Sequence, residues 1–214
     1  MARARPSSFS LVLAVALAPI SPMAVGCSSS AEAPATVDKC KAAGTKYPTT
    51  GCGTEVGSVI ANYTFTGRMG GTATPTHATF RLSDLYDPDG TKGNRFLVVN
   101  VSALWCVYCK EEAKQLPGLK AKYGPKGVLF MTDLAQKLDS TAADAADVDA
   151  WIGTFALDTI VTNDPTFVLG SAFFDPAKMP LNMIIDLHTM KIVLKVIGSD
   201  LPTVTAKLDE LTAG

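Results

Sequence analysis

Residues 95–101 read Arg-Phe-Leu-Val-Val-Asn-Val, and after Arg95 the run is apolar except for Asn100. A strand with one face in water alternates apolar and polar residues. This one does not, so both of its faces need covering. That requirement points to a layered α/β arrangement. Cys106 and Cys109 follow almost at once, and after them the period changes. Ala113, Leu116, Leu119 and Tyr123 recur at helical spacing, while Lys110, Glu111, Lys114 and Lys120 fall off that stripe. One helix is expected from about Cys106 to Tyr123, kinked at Pro117 because proline lacks the N–H and crowds the preceding turn.

The rest of the chain extends the pattern. Residues 127–132, GVLFMT, form a second buried strand, so strand, helix and strand imply a right-handed parallel crossover. Residues 133–147 are polar and alanine-rich and carry no clear period. Val148, Trp151, Ile152 and Phe155 mark a further amphipathic helix, and residues 159–162 a short strand. Residues 180–198 predict a hairpin turning around Asp186–Thr189. A last helix starts after Ser199 or Asp200, with Pro202 in its first turn and Leu201, Val204, Leu208 and Leu211 on its buried face. Upstream, residues 62–67 suggest a strand or hairpin arm, and Asp87-Pro88-Asp89-Gly90 a turn. The fold class is therefore α/β: a central mixed β-sheet flanked by helices, with an N-terminal β extension. A CxxC at a strand-to-helix junction gives this order a thioredoxin-like signature.

The first 26 residues combine Arg3 and Arg5, the apolar run of residues 11–20 and a stretch of small residues ending in AVGC. This is the pattern of a secretory signal peptide. The ending resembles a bacterial lipoprotein processing site, with Cys27 as the lipidated residue and Ala24 where leucine is usual. Three segments are expected: residues 1–26 as leader, 27–55 as a lipid-anchored tether, and 56–214 as the folded domain. The formal charge of the whole chain is −1, and without the leader 17 basic and 20 acidic residues remain. Nothing in that balance favours nucleic acid or a polybasic membrane contact, so attachment to a membrane rests on lipid at Cys27. The expected location is extracytoplasmic, where disulfides persist. Cys40 and Cys52 bracket a short loop, and proximity favours pairing them as a structural disulfide.

Three readings of Cys106 and Cys109 compete. A closed zinc site needs four ligands, and the chain adds only two distant cysteines and the isolated His77 and His188. An inert staple across two residues would remove little entropy from the unfolded chain. A reactive pair suits the position better. The free N–H groups and positive end of a helix favour thiolate over thiol, and thiolate is the attacking species. Cys106, opening the helix, is then the nucleophile; Cys109, one turn in and more buried, resolves the mixed disulfide. Trp105 either shields the site or packs in the core.

The segment LVVNVSALWCVYCKEEAKQL resembles the TlpA/ResA-type thioredoxin-like thiol–disulfide oxidoreductases, the redoxin domains, over roughly residues 56–212. The resemblance implies exchange with protein thiol and disulfide substrates and a redox partner protein, with no cofactor beyond the sulfurs. It gives Glu112 a tuning and proton-relay role, and matches Asn100 to an asparagine frequent in that branch. It also implies a cis Met179–Pro180 bond packed beside the cysteines, with Met179 and Pro180 binding substrate backbone. The sequence departs from the family pattern at the dipeptide Val107-Tyr108, and in having Lys114 where a helix proline is usual. Two rivals share the fold. A thiol peroxidase would need a P-x3-T-x2-C frame, and Val99 and Ala103 stand in its proline and threonine places. A Cu(I) metallochaperone of this kind would use C-x3-C and a distant histidine; here the spacing is C-x2-C and His188 falls in the expected hairpin turn, so two thiolates alone would hold the metal.

Overall fold

The computed structural model describes residues 46–70, 76–170 and 172–213. The expected leader, Cys27 and Cys40 lie outside the described residues. In chain order, β1 (Thr64–Arg68) and β2 (Ala78–Arg81) form an antiparallel pair, and α1 (Leu82–Leu85) is a single turn with both leucines buried. β3 (Phe96–Ala103) is the strand that the apolar run demanded, buried at every residue. After it come α2 (Val107–Ala113), α3 (Leu116–Tyr123) and β4 (Val128–Gln136). Then follow α4 (Ala145–Phe155), β5 (Ile160–Asn163), β6 (Leu181–Asp186), β7 (Lys191–Ile197) and α5 (Leu201–Leu211).

The seven strands form one sheet in the order β2-β1-β5-β4-β3-β6-β7. β3, β4 and β5 are parallel, while β1 and β6 close the parallel part antiparallel on its two sides. The N-terminal β extension is thus the β1–β2 hairpin at one edge, and the β6–β7 hairpin forms the other.

The expected single helix is two helices. Pro117 cannot donate to the carbonyl of Ala113, and its ring would strike that carbonyl. The Lys114 N–H still reaches the Lys110 carbonyl at 3.2 Å, but Gln115 takes the tighter step to Glu112 at 2.9 Å, and the helix stops. α3 restarts with Pro117 in its first turn, where the missing N–H costs nothing. β4 runs on past the expected residue 132 to Gln136, because its parallel ladder to β3 continues through Thr132, Asp133 and Leu134. The aspartates that drew attention near α4 have local tasks. Asp144 caps that helix by accepting the N–H groups of Ala146 and Asp147, and Asp147 accepts the Asp144 N–H in return. Asp149 pairs with Arg68 at 2.8 Å. Asp200 caps α5.

Residues 46–60, partly assigned to the tether from sequence, lie against the sheet. Tyr47 is buried and donates its hydroxyl to the Ile60 carbonyl at 2.7 Å. The backbone of Gly57, Ser58 and Ile60 bonds to Ile192 and Met190, extending the β7 edge. Composition hid this, because few side chains, chiefly Tyr47, Val59 and Ile60, are buried and main-chain bonds do much of the holding. Among the described residues, no helix is long and apolar enough to cross a membrane.

Candidate active site

β3 ends at Ala103, and the chain turns so that the Cys106 N–H donates to the Ala103 carbonyl at 3.1 Å. Cys106 is the cap residue of α2, in an extended conformation, and its sulfur accepts the Cys109 N–H at 3.0 Å. The sulfur thus occupies the place where a capping oxygen normally satisfies a free helix N–H. Cys106 and Cys109 are joined in a disulfide. Cys106 retains 4% exposure and Cys109 none, whereas Val107 and Tyr108 between them are 66% and 65% exposed. The half-buried Trp105 is fixed from the side: its indole N–H donates to Gln136 Oε1 at 3.0 Å.

One turn beyond Cys109, on the same face of α2, Glu112 points inward and is only 1% exposed. Its Oε2 accepts the Asn100 side-chain amide at 2.8 Å and the Asn182 amide at 2.9 Å. The Asn100 amide also donates to Asn182 Oδ1 at 2.9 Å, and the Ser102 hydroxyl donates to Asn100 Oδ1 at 2.5 Å. Glu112 Oε1 has no hydrogen-bond partner. Burial pushes the Glu112 carboxyl above its ordinary range. Asn182, Ser199 and Asn100 favour the charged form and offset part of that push, Ser199 without a hydrogen bond of ordinary geometry; Asp200 adds slightly to it. Glu112 is therefore no solvated surface residue.

The Met179–Pro180 bond is cis, and both residues are buried. β6 begins immediately after it, with Leu181 opposite Val101 and Asn182 opposite Asn100. The cis turn and the end of β3 thus share one end of the sheet with the cysteines. Cys52 lies elsewhere. It is disulfide-bonded and bridges to Val59, which pairs with Lys191 at the far end of the β6–β7 hairpin. His188 sits in that hairpin's turn, its N–H held by Asp186, and so is at the end of the sheet away from Cys106. His77 contacts Asp149 at 3.1 Å. Among the described residues, no group of three or more His, Cys, Asp or Glu is placed to hold a metal ion. Asn182 is the site residue that sequence reading missed. The available signal was a lone amide two residues after Pro180, in an otherwise apolar strand facing Asn100.

No family model matches the chain, and no curated protein is significantly similar to it. Solved structures are. A Chlorobium tepidum protein assigned as thiol:disulfide interchange protein DsbE matches with a TM-score of 0.54 at 18% identity, over 75% of this chain and 99% of that one. The thioredoxin domain of a Bacteroides vulgatus thiol–disulfide oxidoreductase matches with a TM-score of 0.50 at 18% identity, over 72% and 96%. A Plasmodium vivax 2-Cys peroxiredoxin matches with a TM-score of 0.53 at 13% identity, over 73% and 81%. The fold is thioredoxin-like. That architecture serves both oxidoreductases and peroxiredoxins among these neighbours, so the site and not the fold must carry the function.

Proposed function

We propose that the protein is an extracytoplasmic thiol–disulfide oxidoreductase, anchored by lipid on Cys27, that exchanges its Cys106–Cys109 pair with protein substrates and a redox partner. The observation that carries this reading is a CxxC pair at the head of α2, above a buried acid and beside a cis Met179–Pro180 turn. In the reducing direction, the Cys106 thiolate attacks a substrate disulfide. A mixed disulfide forms, and the displaced substrate sulfur leaves as thiolate and takes up a proton. Cys109 gives up its proton, with Glu112 as acceptor, and attacks the Cys106 sulfur. The substrate leaves as a dithiol, and the pair becomes the disulfide described above. Two electrons have moved from the pair to the substrate, and a partner dithiol protein restores them. The same steps reversed oxidise a substrate dithiol.

The other assignments follow from this reading. Residues 1–26 are a removed leader, Cys40 and Cys52 form a structural disulfide, and the tether runs from Cys27 to where Tyr47 docks. Met179 and Pro180 present backbone to substrate, with Trp105 shielding one flank. The deciding experiment is insulin reduction with dithiothreitol. Wild-type protein accelerates it, and Cys106→Ala, with unchanged circular dichroism, does not. Equal activity in the two would remove the proposal. Cys109→Ala should accumulate mixed disulfides in cells, and Cys27→Ala should lose palmitate label.

A further inference from the structure

Asn182 lies in no sulfur's path, yet it closes the network beneath the pair. It stands opposite Asn100 in the β3–β6 ladder, so both side chains rise from the same face of the sheet. It is 1% exposed, a fully buried amide. Such a group has a large cost unless its donors and acceptor are used. Its Oδ1 accepts from Asn100, and its N–H group donates to Glu112 Oε2. Two amide donors therefore converge on one oxygen of the acid, and the other oxygen is left without a partner.

We propose that Asn182 is a positioning residue that, together with Asn100, holds Glu112 by Oε2 and so assigns its exchangeable proton to Oε1. The relevance of that proton to exchange rests on the function proposed above; the hold itself does not. An oxygen that already accepts two N–H bonds is a poor place for a proton, because protonation there would bring a third hydrogen against two donors. The bare oxygen has no such conflict. Both donors are neutral, so Glu112 can change protonation without a compensating charge moving nearby. In the oxidised protein Asp200, from the cap of α5, is the charged group that acts on Glu112, with Ser199 beside it as a polar neighbour; in the reduced protein the Cys109 thiol joins them under the function proposed above. Asn182 is also the second residue after Pro180. Backbone pairing at the cis turn therefore acts on the strand that carries one of the two donors.

The test is the titration of the Glu112 side-chain carboxyl, followed by carbon-13 NMR in the oxidised full-length protein, where no exchange activity is needed. Asn182→Leu keeps the branched shape and removes the donor, along with the acceptor for Asn100, so the midpoint should move upward from wild type. Asn182→Thr restores a hydroxyl donor on a β-favouring residue and should bring the midpoint part of the way back. An unmoved midpoint in Asn182→Leu, or identical midpoints in the leucine and threonine variants, would overturn the proposal. If the leucine variant does not fold, the threonine variant decides alone: a midpoint above wild type supports the hold, and an unchanged one overturns it. A second readout addresses the reaction. Reduced protein mixed with an aryl disulfide releases chromophore in two phases, first from Cys106 attack and then from Cys109 resolution. In Asn182→Leu the second phase should slow about tenfold near neutral pH while the first stays within about twofold. A shifted titration with both phases unchanged keeps Asn182 as the holder of Glu112 and removes Glu112 from the exchange step. A wild-type protein without either phase removes the oxidoreductase reading instead.

Discussion

Two buried acids, Glu112 and Asp133, lie on opposite faces of the same sheet and are held in different ways. Asn100 and Thr132 are register partners, so they point to the α2 side; Asp133, the next residue of β4, points to the other. Glu112 meets two neutral amides. Asp133 meets one donor, the Thr162 hydroxyl at 2.6 Å, and its Oδ2 has no donor at all. Burial pushes the Asp133 carboxyl well above its ordinary range, and the neighbouring Asp164 carboxylate pushes it further. Asp164 is itself engaged: it accepts the Leu169 N–H and the Thr166 hydroxyl, and so braces the segment leading towards Met179. The difference lies in what each arrangement permits. Neutral donors leave an acid free to change its proton, whereas burial beside a carboxylate obliges Asp133 to keep its own. The first suits chemistry and the second suits architecture.

Breaking the symmetry on the site face should have the largest effect. Glu112→Gln should slow the Cys109 step by about a hundredfold near neutral pH, if general-base help has its usual size. Its unfolding midpoint should change little, because the two amides still find an oxygen. A normal second phase of chromophore release would show that the two acids do not differ in kind. On the other face the effect should fall on stability. Asp133 has a raised folded value, so its contribution is fully present below the unfolded carboxylate range and is lost as pH rises through the folded value. Asp133→Asn should therefore raise stability by roughly 1–3 kcal/mol at pH 8, and the gain should vanish under acid conditions. Urea unfolding at several pH values reads this directly, and a gain independent of pH would contradict a raised Asp133 carboxyl.

Smaller effects sharpen the contrast. Thr162→Val removes the hydroxyl donor to Asp133 and should cost about 1–2 kcal/mol without altering either exchange phase. Ser102→Ala removes the hydroxyl behind Asn100 and should cost about 1 kcal/mol, with a slight shift in the Glu112 titration. An exchange defect in Thr162→Val would tie the two faces together and undo the distinction.

The frame of this molecule could be read in advance because its signals are local. The run at residues 95–101, the stripe after Cys109, the hairpin at 180–198 and the Pro202 helix each follow from spacing within one segment. The cysteines could be placed for the same reason, as could a cap at Ser199 or Asp200, of which the structure uses Asp200. What remained hidden depends on neighbours remote in sequence. Asp133 looks like the end of a strand until Thr162 and Asp164 arrive beside it. Asn182 looks like an intrusion until Asn100 faces it across the ladder. The break at Lys114 and Gln115 falls between the two cases: Pro117 announced a disturbance, but only the observed bonds show that the helix ends and begins again.

The strap formed by Gly57, Ser58 and Ile60 has a consequence for sociability. A lone outer strand such as β7 offers its amides to any passing chain, and a protein whose proposed work is to meet half-folded polypeptides would be exposed to that hazard. Here the chain has laid its own upstream backbone along that margin. The backbone groups of Met190 and Ile192 are already taken, so no visiting chain can zip onto the sheet margin there.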